Sequence, residues 1–249
     1  MTYPLAVQLY TLRHLSDDVT DLVKVAADVG YTGVEGGYGP DMDAAKIKDA
    51  LDENNVQMVS AHVSLDALEG DLSSVVAFQK TLHNDTLIIP WISDAHYSDT
   101  AASWQKLGAR FNKIAQQVKA AGMTLLYHNH SFEFGSYDGK LGLEYLLDSA
   151  PDLGLELDLG WCQEGGVDPL PLLKKYSGRA SRVHVKDRAP EGENSAQDGW
   201  ADVGHGVINW EPLLAAAKNA GTEWFVVEHD APTDPVATIR RSFDYLKTI

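Results

Sequence analysis

The chain has 249 residues, of which 44% are hydrophobic and 22% charged, and its 20 basic and 36 acidic residues give a formal net charge of −16. This composition predicts a folded globular protein, and the length suits one large α/β domain about as well as two smaller ones. The negative charge, without any run of Lys or Arg, argues against nucleic-acid binding. Cys162 is the only cysteine, which excludes an internal disulfide and a thiolate-based zinc site.

Membrane attachment and secretion are not expected either. No apolar run approaches the roughly 18 residues that a membrane span needs. The N-terminal stretch MTYPLAVQLYTLRHL also lacks a basic segment followed by a long apolar one. We therefore predict a cytoplasmic protein.

Eight short apolar segments, rich in β-branched residues, predict eight strands along the chain. They lie at 5–10, 32–37, 57–63, 86–92, 123–130, 153–161, 182–187 and 223–230. Helical patterns separate them, among others at 19–30, 101–122, 168–178, 211–221 and 234–248. Gly30, Gly122 and Gly221 each end such a pattern just before the next strand, as glycine commonly does at a helix C-terminus.

This alternation predicts a (β/α)8 TIM barrel, an α/β fold in which a parallel eight-stranded barrel with outer helices occupies residues 1–249 as a single domain. Strands that are apolar throughout are typical of parallel sheets buried on both faces, whereas a doubly wound sheet more often stops near about six strands. The longest irregular segment, 188–206, follows the seventh strand, where a barrel would use it as an active-site loop or lid.

Polar side chains accumulate where the predicted strands end, and in a TIM barrel these ends build the active site. The last four strands carry most of the carboxylates and imidazoles. The groups at the strand ends are Gln8, Tyr10, Glu35, His62, Trp91, His128, His130, Glu133, Asp158, His184, Lys186, Asp187, Glu228, His229 and Asp230.

Four of these groups follow four successive strands, so a closed barrel would bring them together: Glu133, Asp158, His184 and Glu228. Three carboxylates that close would repel one another unless a cation lay among them. One imidazole with three carboxylates suits Mn²⁺, Mg²⁺ or Co²⁺ and would also accept Zn²⁺. We expect one divalent ion there, Mn²⁺ before the others. Taken singly, Asp158 could instead cap a helix and Glu228 could pair with Lys186.

Five further groups are candidate substrate contacts: His62, His128, Trp161, Arg188 and Glu35. Structural roles compete with this assignment, because aromatic residues at strand ends usually belong to the core. Cys162 is expected to be a small buried hydrophobe rather than a nucleophile.

The motifs make the chain resemble a known superfamily over essentially its whole length. They are YHNHSFEF (127–134), ELDLGW (156–161), VHVKD (183–187), DVGHGVINW (202–210) and VVEHD (226–230). Together they are similar to the sugar isomerase/epimerase superfamily of xylose-isomerase-like barrels, in its sugar phosphate isomerase/epimerase branch near inosose dehydratase and hydroxypyruvate isomerase. The resemblance implies a metal set on the same four residues. In several relatives the first Glu lies within the fifth strand, at the position of His128, so His128 is the alternative ligand to Glu133.

The sequence departs from some relatives at defined positions. Epimerases of this kind have a His where Trp161 stands and an Arg where Pro190 stands, although Arg188 lies close by. The family's endonucleases need histidines for a three-zinc cluster, and Trp91 and Trp161 occupy two of those places. Together with the charge, this makes DNA repair an unexpected function.

The resemblance implies proton abstraction next to a carbonyl or hydroxyl-bearing carbon of a metal-chelated sugar or sugar phosphate, which gives an enediolate that the divalent ion stabilises as a Lewis acid. Glu133 and Glu228 would exchange the proton, with His130 as an alternative base. Lys186 would donate to the oxyanion or simply pair with Asp187. The first predicted function is therefore a metal-dependent sugar isomerase or epimerase.

Three alternatives stay open. The same first step followed by loss of a β-substituent gives a dehydratase or lyase on a keto-sugar or keto-inositol, and the double His of YHNHSFEF looks similar to the inosose dehydratase type. A non-catalytic sugar-binding barrel is the second, and phosphodiester hydrolysis with two or three zinc ions is the third. From the resemblance we also expect a homo-oligomer.

Overall fold

The computed structural model describes residues 3–249, in which eight parallel strands close into a barrel. The strands are β1 (Leu5–Gln8), β2 (Gly33–Gly37), β3 (Gln57–His62), β4 (Thr86–Ile89), β5 (Thr124–His128), β6 (Gly154–Asp158), β7 (Arg182–Val185) and β8 (Trp224–Val227). Each strand pairs with its neighbours in the chain, and β1 pairs with β8 to close the ring. The predicted (β/α)8 TIM barrel and its eight strands are confirmed.

Helices surround the barrel and connect successive strands. They are α1 (Val19–Val29), α2 (Ala44–Asn54), α3 (Leu65–Gly70), α4 (Leu72–Thr81), α5 (Ala101–Ala120), α6 (Gly142–Asp148), α7 (Leu159–Glu164), α8 (Pro169–Lys175), α9 (Trp210–Asn219) and α10 (Pro235–Leu246). Across residues 3–249, none of the helices combines the length and apolarity that a membrane crossing requires.

The first helix shows how the local sequence sets these boundaries. The Asp18 carboxylate accepts a hydrogen bond from the backbone N–H of Thr20 at 3.1 Å, which satisfies a donor that the first turn leaves free. Gly30 ends the helix with φ of +118°, a conformation that would be strained for a residue with a side chain. The chain can therefore turn directly into β2.

Alternate side chains of each strand face opposite sides of the barrel wall. In β1, Leu5 and Val7 pack into the main hydrophobic core with the helices, whereas Ala6 belongs to a small separate apolar cluster with Val59 and Val226. This period of two is the ordinary geometry of a strand. Residues on the inner face are therefore the ones that can reach the barrel axis.

The segment after β7 is folded back by one carboxylate. Asp187 accepts hydrogen bonds from the backbone N–H groups of Gly204 (2.9 Å) and Ile208 (3.2 Å) and from the Trp210 indole N–H (2.9 Å). In addition, Asp187–Arg188 pairs with Trp200–Ala201 as a short antiparallel ladder. This brings Trp200 over the end of the barrel where the strands finish.

Candidate active site

A cavity of about 740 Å³ lies at the C-terminal ends of the barrel strands. Side chains after β1, β3, β5, β7 and β8 contribute to its lining, including Gln8, His62, His128, His130, Lys186, Glu228 and Asp230. Tyr10 and Trp91 lie at its exposed rim. The cavity therefore has a polar floor near the barrel axis and an apolar edge toward solvent.

Three predicted ligands meet at the end of this cavity. Asp158, His184 and Glu228 each offer a ligand atom within 4.8 Å of the others, and all three are buried. The Nδ1 atom of His184 lies 3.1 Å from Glu228 Oε2 and 3.7 Å from Asp158 Oδ2. Near them, His128 Nε2 lies 3.8 Å from the same Asp158 oxygen.

The donor set fits a divalent cation. Asp158 Oδ1 accepts the backbone N–H of Trp161 at 2.7 Å, but Asp158 Oδ2 is buried without a hydrogen-bond partner. A carboxylate oxygen in that state is costly unless a positive partner stabilises it. Asp158, His184 and Glu228 would hold such an ion with the mixed nitrogen and oxygen ligands that Mn²⁺, Co²⁺ and Zn²⁺ accept.

A second layer of charged groups lies deeper in the barrel. Glu156 Oε2 is 3.1 Å from His128 Nδ1 and 3.2 Å from both His62 Nε2 and His184 Nε2. Glu35 Oε1 is 2.8 Å from His184 Nε2. The atoms of His62, His128, Glu156 and His184 also lie close enough together to hold an ion, so His184 belongs to two candidate ligand sets.

Burial and the neighbouring imidazoles move the pKa values of these carboxyl groups in different directions. Burial raises the pKa of Asp158 to about 7. Burial acts in the same sense on Glu156, but His184 and a hydrogen bond from His128 outweigh it and lower the pKa to about 2. Lys186, whose Nζ lies 3.7 Å from Asp158 Oδ2, and His184 lower the pKa of Asp158, but unlike the imidazoles around Glu156 they do not outweigh its burial.

Lys186 is buried beside Asp158, His184 and Glu228, here called the ligand cluster, and is held by carboxylates. Its Nζ lies 2.9 Å from Glu228 Oε2 and 2.7 Å from Asp230 Oδ1. The ammonium also lies 4.7 Å from the centre of the Trp200 ring and 5.2 Å from that of Trp161. Burial opposes the charged form, but Glu228 and the other carboxylates raise the pKa of Lys186 overall.

His130 and Glu133 lie after β5 and have different surroundings. The Nδ1 atom of His130 is buried without a hydrogen-bond partner, and burial, followed by the charge of Lys186, lowers the pKa of its imidazole to about 3. The Glu133 carboxylate accepts the Tyr127 hydroxyl at 2.7 Å and the His130 backbone N–H at 2.9 Å. Burial raises the pKa of Glu133 to about 7.

The predicted site residues thus fall into distinct places. Asp158, His184 and Glu228 come together as expected, with His128 and Lys186 beside them. The roles predicted for Glu133 stay predictions, because its contacts place it against Tyr127 rather than within the three-residue cluster.

The predicted substrate contacts also separate. His62 lines the cavity, whereas Glu35 is buried beneath it with His184. Trp161 packs against the rings of His130 and Trp200. Arg188 forms an ion pair with Glu164 at 2.7 Å.

Glu156 is the main residue that the sequence reasoning missed. It lies two residues before Asp158 in LGLELDLGW, so the period of a strand places both carboxylates on the same face. That spacing was the available signal. Asp230, the partner of Lys186, is among the polar groups at the strand ends, but the sequence pattern predicts no role for it.

The comparisons with known proteins agree with the barrel fold. An inosose dehydratase from Klebsiella pneumoniae (strain 342) is 26% identical over an alignment of 258 positions. The alignment covers 90% of this chain and 85% of the relative. A sugar phosphate isomerase/epimerase from Parabacteroides distasonis ATCC 8503 superposes with a TM-score of 0.79 at 22% identity, over 100% of this chain and 99% of that chain. The probable 3-DHS dehydratase AsbF from Bacillus anthracis superposes with a TM-score of 0.76 at 15% identity, over 99% of both chains.

At these identities the solved structures support the fold, and the family follows from the sequence itself. The sequence pattern of the xylose isomerase-like TIM barrel family matches residues 23–249. This match covers most of the chain and includes every residue of the ligand cluster, so the chain belongs to the xylose isomerase-like TIM barrel family.

Proposed function

We propose that the chain is a divalent-metal-dependent dehydratase of a neutral keto-sugar or keto-inositol. It would remove a proton from the carbon next to the carbonyl and expel a β-hydroxyl as water. The observation that carries this proposal is that His130 and Lys186, a neutral imidazole and a fixed ammonium, line one cavity beside the ligand cluster.

His130 supplies the proton transfer. With a pKa of about 3 its ring is neutral at ordinary pH, and the ring lines the cavity, so it would accept a proton from a substrate carbon there. Negative charge that develops on the substrate favours the imidazolium. The imidazolium then returns the proton to the departing hydroxyl, so the C–H and C–O bonds break, a C=C bond forms and water leaves.

Lys186 and the ligand cluster supply the stabilisation of charge. Lys186 stays an ammonium because Glu228 and Asp230 hold it, and a fixed cation lowers the energy of an enediolate oxygen. A divalent ion bound by Asp158, His184 and Glu228 would act as a Lewis acid toward a substrate oxygen. Mn²⁺ is the first ion to test.

The lining favours an uncharged substrate over a sugar phosphate. Its two permanent cations already have partners, since Arg13 donates to the carbonyls of Tyr10 (2.8 Å) and Asp230 (2.7 Å) and Lys186 is held by carboxylates. Asp198, Asp230 and Glu228 add negative charge to the same lining. A phosphate group would meet repulsion from these carboxylates, and Arg13, already bonded to two carbonyls, is the one permanent cation of the lining that no carboxylate holds.

The relatives named inosose dehydratase support dehydration as the overall reaction, because the similarity to them spans 90% of this chain. The exchange of a proton between Glu133 and Glu228, which an epimerase would use, finds less support in the contacts. Glu133 is engaged with Tyr127 and the backbone of His130, whereas His130 itself lines the cavity. We therefore assign the proton transfer to His130.

The test is a dehydration assay with keto-inositols and neutral ketoses in deuterated water, after treatment with a chelator and reloading with Mn²⁺, Co²⁺, Mg²⁺ or Zn²⁺. We expect loss of water only in the reloaded samples. His130→Gln should lower kcat by about 10²- to 10⁴-fold without changing the metal content. His83→Asn, at the opposite end of the barrel before β4, is the matched control and should retain full activity.

Other outcomes are equally informative. Deuterium incorporation or sugar interconversion without loss of water would replace the dehydratase with the isomerase or epimerase predicted from the sequence. Turnover of phosphorylated sugars alone would contradict the neutral substrate. Full activity in the presence of the chelator would contradict the metal requirement.

A further inference from the structure

Two carboxylates lie beneath the ligand cluster and have no place in the reaction proposed above. Glu35 and Glu156, here called the carboxylate floor, are fully buried on the inner faces of β2 and β6. Neither is among the described residues that line the cavity, so neither is placed to touch a substrate. Burying two carboxylates costs folding free energy, which indicates that they have a function there.

The bonds of Glu35 determine which nitrogen of His184 carries a proton. Gln8 Oε1 accepts the backbone N–H of Tyr10 at 3.0 Å, which orients the amide so that Gln8 Nε2 donates to Glu35 at 2.7 Å. The Ser60 hydroxyl donates to the other oxygen of Glu35.

With these donors in place, Glu35 is an acceptor for His184 as well. His184 Nε2, 2.8 Å away, must donate to it. The other nitrogen, Nδ1, lies 3.1 Å from Glu228 Oε2 and 3.7 Å from Asp158 Oδ2, and it is the one that would give up its proton to bind an ion there.

Glu156 does the same for His128. Its Oε2 lies 3.1 Å from His128 Nδ1, so that this nitrogen donates and the lone pair remains on Nε2. His128 Nε2 in turn lies 3.8 Å from Asp158 Oδ2, the buried oxygen without a hydrogen-bond partner. His128 Nε2 and His184 Nδ1 therefore face the same gap between Asp158 and Glu228.

We infer that the carboxylate floor positions His128 and His184 as ligands, through hydrogen bonds to the ring nitrogens that face away from the ion. The complete ligand set is then His128, Asp158, His184 and Glu228, with His128 as the fifth-strand member. Glu35 and Glu156 are positioning residues, because they act through the histidines. This inference rests on the proposed function, which requires the ion.

The first test is the binding of Mn²⁺ to chelator-treated protein by calorimetry. Loss of a hydrogen bond to a ligating histidine commonly weakens metal binding by about 10- to 100-fold. We therefore expect Glu156→Gln and Glu35→Gln each to bind one ion per chain with Kd raised by about that factor. Glu144→Gln, a glutamate that accepts the backbone N–H of Leu141 at 3.0 Å instead of bonding a ring nitrogen, is the control and should change Kd by less than about threefold.

The second test needs no substitution and so does not depend on how the variants fold. In ¹⁵N-histidine NMR spectra of the Zn²⁺-loaded wild-type protein, we expect His184 to be protonated on Nε2 and His128 on Nδ1. The reverse tautomer of either ring would overturn the inference while leaving the dehydration chemistry intact.

The remaining outcomes separate this inference from its alternatives. If Glu156→Gln and His62→Gln abolish ion binding whereas Asp158→Asn leaves it intact, the ion occupies the deeper set of His62, His128, Glu156 and His184, and the floor is a ligand layer. Unchanged Kd in both floor variants would overturn the positioning role alone. A wild-type chain that binds no ion would overturn the inference and the metal requirement together.

Discussion

The same eight strands build two halves of the barrel interior, a lower half toward their N-terminal ends and an upper half toward their C-terminal ends. The two halves differ in the polarity of most of their side chains. The lower half contains the apolar cluster of Ala6, Val59 and Val226, against which Trp224 packs. The upper half contains the carboxylate floor, three imidazoles and the ligand cluster. TIM-barrel interiors are usually filled by branched apolar residues, so the upper half departs from the packing that stability alone would favour.

The contrast teaches where this fold carries its function. Charged groups in a buried layer cost folding free energy unless each has a partner. In the upper half, Glu35, Glu156 and Glu228 each accept hydrogen bonds from an imidazole or from Lys186, whereas Asp158 Oδ2, Glu156 Oε1 and His130 Nδ1 have no hydrogen-bond partner. In the proposed function, an ion would become the partner of Asp158 Oδ2.

The largest effect on activity is expected when a residue of the ligand cluster, in the upper half of the interior, is substituted. Glu228→Gln removes the charge that faces both His184 Nδ1 and Lys186 Nζ. We expect kcat/KM to fall by at least about 10³-fold, because a group that binds the ion and orients Lys186 acts on charge stabilisation in the transition state. Metal content by inductively coupled plasma mass spectrometry should fall in parallel. An active variant with unchanged metal content would show that Glu228 is not a ligand.

The next effect is a dependence of stability on pH that comes from Glu133. Its pKa of about 7 in the folded protein exceeds the ordinary value of 4.5. Between those values the folded state keeps a proton that the unfolded state has released, so stability falls as pH rises from about 4.5 to 7 and is level outside that window.

Glu133→Gln should remove this contribution. For chelator-treated protein, we expect the difference in unfolding free energy between wild type and variant to change by about 3 kcal/mol across the window. Urea unfolding at pH 4.5 and pH 7.5 measures it. Asp158 titrates in the same range in both proteins, so its contribution cancels except for its charge interaction with Glu133, which the variant removes as part of the Glu133 effect. Parallel pH profiles would show that folding does not raise the pKa of Glu133.

A smaller effect is expected in the lower half, on stability alone. The Arg182 guanidinium donates to the Val59 carbonyl at 3.0 Å and pairs with Glu223 at 2.7 Å. Arg182→Met should destabilise the protein by about 2 kcal/mol, because the buried carbonyl loses its donor. Glu223→Gln is the matched control. The Glu223 carboxylate is exposed, so its ion pair with Arg182 should contribute less than about 1 kcal/mol.

Both variants should bind Mn²⁺ as tightly as the wild type, by calorimetry on the chelator-treated protein. Weaker Mn²⁺ binding in Arg182→Met would mean that the two halves of the interior are coupled, whereas we expect them to be independent.

The sequence predicted the barrel because eight apolar runs separated by helices leave few other architectures. It also predicted that Asp158, His184 and Glu228 would meet, since residues at the ends of inward-facing strands converge on the barrel axis. It did not separate His128 from Glu133, because that depends on the short helical turn Phe132–Phe134 and on the Tyr127 hydroxyl.

The carboxylate floor was harder to predict. Glu156 is a charged residue in the middle of a strand, and only the closed barrel shows that three imidazoles surround it. Trp200 reaches Lys186 only because Asp187 folds back a long irregular segment. Contacts made by loops across the barrel are tertiary effects that strand periodicity does not encode.

The smallest effect is expected outside the barrel interior, at Cys162. Its side chain is buried in α7 within the main hydrophobic core, and burial raises the pKa of the thiol well above its ordinary value, so it stays protonated and unreactive. Cys162→Ala should lower the unfolding free energy by about 1 kcal/mol through lost packing, and it should leave turnover and Mn²⁺ affinity within about twofold of the wild type. Urea unfolding and the dehydration assay check both parts. A tenfold loss of turnover in a well-folded Cys162→Ala protein would extend the functional region beyond the upper half of the interior, because this side chain belongs to the hydrophobic core and does not line the cavity.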